Sequence, residues 1–115
     1  MKARITLIAL LFAGLVNCAK SVPVQEMADA HQEIALAEEE QAAEFAASGF
    51  ENAKQALLDS HKKLTDEAYE DSETRAVESY NLAHAARMEA APKFTEKTRV
   101  DAETKIKSAE DLYAE

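Results

Sequence analysis

One cysteine, three histidines and several runs of carboxylates are the side chains of this 115-residue sequence best suited to chemistry. Cys18 is the sole thiol, so no internal disulfide can form. His31, His61 and His84 are the imidazoles. A structural zinc site needs three or four converging ligands, and no two of these histidines stand four apart on a helix. The spacing therefore predicts packed or half-exposed histidines and no metal site. Glu38-Glu39-Glu40 with Glu44, and Glu67, Glu70, Asp71 and Glu73, form acidic runs. On a helix neighbouring carboxylates splay by about 100°, so these read as solvated faces. Asp66 to Glu78 lacks the central glycine and alternating Asp/Asn of a calcium loop. No nucleophile elbow, glycine-rich phosphate cradle or supported Ser/His/Asp set occurs, and Tyr69 and Tyr80 read as core or rim residues. The expectation is a protein without catalytic residues, metal or cofactor.

The segments that would position these groups fall into two unlike parts. Met1 to Arg4 carries two positive charges, Ile5 to Val16 is almost wholly apolar, and residues 1–17 contain no acid. That order is the layout of a secretory signal. Twelve apolar residues reach about 18 Å as a helix, short of the roughly 30 Å hydrocarbon core, which disfavours the competing reading as a permanent span. Cleavage after residue 17 would leave 98 residues and, with Lys2 and Arg4 gone, shift the net charge from −9 to −11. Such a surface repels nucleic acid and anionic headgroups.

Leu15-Val16-Asn17-Cys18 resembles the lipobox of bacterial lipoproteins. Leu15, Val16 and Cys18 fit that pattern, whereas Asn17 stands where Gly, Ala or Ser is usual. The resemblance implies recognition of Leu15, Val16 and Asn17 by the lipoprotein signal peptidase. It further implies a diacylglycerol on the Cys18 thiol, cleavage just before it and N-acylation of the new terminus. Two or three acyl chains hold essentially permanently where one binds reversibly. Ala19 in place of Asp implies, by the same resemblance, the outer rather than the inner membrane. The membrane face, periplasmic or external, stays open. Residues 18–23 would then be a short tether.

From residue 24 onward the sequence predicts an all-α domain of three to four amphipathic, Ala-rich helices in a small antiparallel bundle. Ala, Glu, Lys, Leu and Gln dominate. Helices are expected at about 24–47, closed by Gly49 in a left-handed cap, then 50–64, 66–91 and 95–114, with Pro92 as a stop and Thr95 or Thr98 as a cap. The expected stripes are Met27, His31, Ile34, Ala35, Ala42, Phe45 and Ala46; then Phe50, Ala53, Leu57, His61 and Leu64; then Tyr69, Ser72, Ala76, Tyr80, Ala83, Ala86 and Ala90; and finally Ala102, Ile106, Ala109 and Tyr113. Acid-to-base pairs at i,i+4 are expected for Asp59–Lys63, Asp71–Arg75, Asp101–Lys105 and Glu103–Lys107. Leu, Ile, Val and Phe supply only 15 of residues 18–115. The core is therefore thin and self-association remains a live alternative.

Val24 to Ala91 carries a second likeness. Met27-Ala28-Asp29-Ala30 opens a helix, followed by Phe45-Ala46-Ala47, Phe50, Ala53-Lys54 and Leu57, then Tyr69, then Ala76, Ala83, Ala86 and Ala90. This resembles the Ala-rich helical envelope lipoproteins catalogued as domain of unknown function 4398, with Ser72 standing where alanine is expected after Tyr69. The resemblance implies fold and envelope location but no activity. Together these readings predict a non-enzymatic, lipid-anchored structural or protein-interaction module. Its partner would be an envelope protein or a second copy. A surface-exposed binder of host or matrix molecules and a self-associating, chaperone-like oligomer are the alternatives.

Overall fold

A computed structural model describes residues 20–114. The leader and the lipobox positions Leu15, Val16, Asn17 and Cys18 lie outside the described residues. The fold is all-α: α1 spans Val24–Glu39, the single turn α2 Ala42–Phe45, α3 Ala47–Thr65 and α4 Tyr69–Tyr113. Both α1 and α3 pack on α4 far more than on each other. Met27 meets Ser72 and Glu33 meets Arg87, so α1 runs parallel to α4. Ser60 meets Ser72 and Ala53 meets Ser79, so α3 runs antiparallel to it.

The buried positions of α4 are Ser72, Ala76, Ser79, Ala83, Ala86 and Ala90, stepping by 4, 3, 4, 3 and 4. In α3 and its entry the same rhythm runs Ala46, Phe50, Ala53, Leu57 and Ser60, and α1 buries Met27, Ala30, Glu33 and Ala37. A repeat averaging 3.5 residues keeps one stripe facing its partners in a left-handed supercoil. Small side chains let the backbones come close, and a methyl built on Gly49 would sit 3.6 Å from Ala86 Cβ. At the α1–α3 corner, Ala37, Ala42, Ala46 and Phe50 close over Ala86 and Ala90 with Ile34 and Phe45 at the edge.

Several boundaries depart from the sequence expectation. Residues 24–47 do not form one helix, because the chain reverses at Glu40–Ala46. The left-handed residue there is Gln41, at φ 56°, and Gly49 sits inside α3 with an ordinary negative φ. Alanines on both sides of the corner are buried, and their burial fixes the turn about two helical turns earlier than the glycine suggests. The second corner is a Schellman motif. Ala68 N–H bonds Lys63 O, Glu67 N–H bonds Leu64 O, and Glu67 is left-handed at φ 58°. Helix α4 accordingly starts at Tyr69, three residues after the expected 66.

Pro92 does not end a helix: α4 continues through it to Tyr113, so the expected separate helix at 95–114 is its extension. Pro92 is exposed, which leaves room for its ring, and it forgoes only the bond to the Met88 carbonyl. Beyond it, Lys93 Nζ donates to Phe45 O at 3.0 Å, and Lys97 pairs with Glu44. These contacts fasten the continuing helix to the corner. Thr98 caps nothing; its hydroxyl donates back to Phe94 O within the helix. From Thr95 to Ala114 every residue is exposed, so this segment stands beyond the bundle as an arm. Most positions of the first three expected stripes are buried; at three of them a neighbour is buried instead, Ala30, Ser60 and Ser79 in place of His31, His61 and Tyr80, and Ala35 is exposed.

Candidate functional site

Polar side chains converge at three places, all between helices. The one that buries a charge lies between α1 and α4. Glu33, with its side chain 6 % exposed, accepts from Arg87 Nε at 2.7 Å and lies 2.9 Å from His84 Nδ1. An ionised carboxylate only accepts, so Nδ1 of His84 carries the proton and donates. The Tyr80 ring stacks on that imidazole, with centroids 6.1 Å apart and planes 6° from parallel. Burial pushes the Glu33 carboxyl up. The hydrogen bonds and charges of His84 and Arg87 outweigh it and hold the group below its ordinary value. A carboxylate held this way is a poor proton acceptor near neutrality. Its evident work is to lock α1 onto α4. Beside it, Glu26, Asp29, Val77 and Tyr80 line a shallow, open groove.

The second place is a serine ladder between α3 and α4. Ser60 Oγ donates to Ser72 O at 2.7 Å and Ser72 Oγ donates to Ser60 O at 2.8 Å. Each hydroxyl spends its one proton on the opposite backbone, so their 3.1 Å approach is a contact. Ser79 Oγ donates to Ala53 O at 2.7 Å. Among the described residues no buried side-chain polar atom lacks a partner. Ser72 thus does more than replace the alanine expected there, since it ties two helices face to face.

The third place is the surface seam of α1 and α3, where His31 Nε2 and His61 Nε2 stand 3.2 Å apart. Both residues are exposed. Spacing alone leaves the three histidines separate; the fold joins two of them and sends His84 to Glu33. Among the described residues no three His, Cys, Asp or Glu side chains gather as a metal cluster. None of these unions shows in local spacing, because the partners lie 30 to 54 residues apart. The one local hint is His84 and Arg87, three apart on one helix face.

On the outer faces none of the four expected i,i+4 pairs forms among the described residues. Arg75 instead bridges to Asp59 of α3 at 2.7 Å and to Glu78, while Arg99 pairs with Glu96 and Glu103. No described helix is long and apolar enough to cross a membrane. Comparison of the chain with protein-family models, curated proteins and solved structures found no match.

Proposed function

We propose that this protein is a lipid-anchored module of a bacterial envelope that presents a helical arm to a protein partner. The observation that carries this is the basic-then-apolar leader running into Leu15-Val16-Asn17-Cys18, directly ahead of a helical bundle. Cys18 is the attachment point for diacylglycerol and an N-acyl chain, and the outer membrane is the proposed location. The likeness to the Ala-rich envelope lipoproteins supports the same reading. Pro23 is already buried, so only the four residues 19–22 separate the anchor from the bundle.

The helix directions give the proposal its geometry. The start of α1 lies beside the start of α4, so the anchored end is opposite to the end from which the arm leaves. A helix of 45 residues is about 67 Å long. Val100, Ile106, Leu112 and Tyr113 are exposed on the arm. The role assigned is interaction and spacing rather than catalysis.

Globomycin, which blocks lipoprotein signal peptidase, should trap the precursor. Mass spectrometry of the processed N-terminal peptide should find acyl chains on Cys18. An unmodified Cys18, or cleavage at another bond, overturns the anchoring. Photo-crosslinking from position 106 in native membranes should capture a partner that position 62 on the bundle does not. A second reading, self-association through the arm, draws on the Ala102, Ile106, Ala109 and Tyr113 stripe. It predicts that the partner captured is another copy.

A further inference from the structure

The His31–His61 pair stands at a separation that suits a shared metal ion as well as a hydrogen bond. We infer that it is a two-histidine chelate for a divalent transition-metal ion, clamping α1 to α3 through the two Nε2 atoms. Metal–imidazole bonds are about 2.0–2.1 Å, so two cis ligands stand about 2.9 Å apart at 90° and about 3.3 Å apart at a tetrahedral angle. The observed 3.2 Å lies inside that window. The rings are tilted by 57° with centroids 5.4 Å apart, so the facing atoms are the nitrogens and not the ring faces. Both side chains are exposed, giving an ion direct entry and leaving its remaining positions to water. The backbone places the pair without help from the metal: His31 follows the buried Ala30 and His61 follows the buried Ser60, so each projects from the same edge of its helix.

The chemistry selects the ion. Two neutral imidazoles favour Cu, Ni and Zn over Mg or Ca, and Cu(II) should bind tightest, with Zn(II) behind it. In the metal-bound form both Nε2 atoms offer lone pairs and both Nδ1 atoms carry protons. Without metal, one Nε2 donates its proton to the other. Among the three long helices the clamp falls on the pair that shares least packing, where an added crosslink constrains the bundle most. His84 is excluded from the site, because its Nδ1 is held by Glu33.

The test uses the full-length chain in detergent with Cys18→Ser, which removes a competing thiolate, purified without a histidine tag. Cu(II), Ni(II) and Zn(II) are each titrated with thermal melting as the readout, and Cu(II) binding is followed by electron paramagnetic resonance. The expected result is a rise of several degrees in the melting midpoint at saturating metal, largest for Cu(II), with hyperfine structure from two imidazole nitrogens. His31→Ala and His61→Ala should each lose that shift and weaken binding at least tenfold, while His84→Ala keeps it. Far-UV circular dichroism confirms that the exposed substitutions leave the fold intact, and His31→Gln serves if His31→Ala does not. No shift in the parent overturns the inference. So does a shift that survives both substitutions, because the ion would then sit on carboxylates elsewhere.

Discussion

The left-handed residue at the first corner can be tested by substituting two positions in opposite senses. Gly49 lies in the first turn of α3 with a negative φ, and a methyl there would meet Ala86 Cβ at 3.6 Å, an ordinary contact. Gly→Ala inside a helix stabilises by roughly 0.5–1 kcal/mol, with the lower figure fitting the first turn. A half-buried methyl adds about 0.4 kcal/mol, half of the value for a fully buried one. Gly49→Ala should therefore stabilise by about 1 kcal/mol, or about 4 °C in a domain of this size. Gln41 at φ 56° carries a left-handed cost of about 1–2 kcal/mol. Gln41→Gly removes it and loses part of the gain to the freer unfolded chain, leaving a net gain of roughly 0.5 kcal/mol. The assay is urea and thermal denaturation by circular dichroism at 222 nm, in the Cys18→Ser background. A lowered midpoint for Gly49→Ala refutes the reasoning. It would mean that residue 49 is the left-handed one, where alanine is strained.

Three further outcomes concern the buried polar groups and the proline of α4. Glu33→Gln should cost about 1–2 kcal/mol at pH 7, because the charge-assisted bonds to Arg87 and His84 weaken; the folded carboxyl lies below its ordinary value of 4.5, so its contribution is full above that pH and disappears as pH falls through the folded value, and parallel melts at pH 7 and pH 3 should show the gap closing on acidification. Ser72→Ala should cost about 1 kcal/mol, since Ser60 O keeps its helical bond, whereas Ser72→Leu should cost about 3 kcal/mol by forcing α3 away; chemical denaturation separates the two. Pro92→Ala should restore a bond to Met88 O and raise amide protection over residues 92–100 in hydrogen exchange, with lowered protection as the refuting result.

Helix content was plain from composition, because Ala, Glu, Lys and Leu leave little competition in residues 24–114. The stripe of α4 was also legible, since alanines and serines recur there at heptad spacing. The corners were not. The left-handed positions fell to Gln41 and Glu67, two residues that give no turn signal, while the glycine that does give one lies in a helix. Pro92 misled for a related reason: a proline stops a helix in isolation, yet here Lys93 and Lys97 hold its far side to Phe45 and Glu44. Of the polar sites, only Ser72, His31 and His61 stand on an expected stripe; Ser60, Ser79, Glu33, His84 and Arg87 stand on none. The Glu33–His84–Arg87 and His31–His61 unions depend on how three helices are laid together, and no short window of sequence contains that.

The parallel placement of α1 and α4 means that α1 leaves a ribosome or a membrane channel well before the surface it rests on. Met27 meets Ser72, 45 residues later, and Glu33 meets Arg87 after 54. At synthesis rates of about 5–20 residues per second, α1 waits roughly 2–9 s for its first contact with α4. A leucine-rich stripe exposed for that interval would seek other chains. Methionine and alanines are far less adhesive, and the surrounding glutamates repel neighbours. The same meagre interior that limits final stability lets the leading helix stay unpaired without harm until its template is complete.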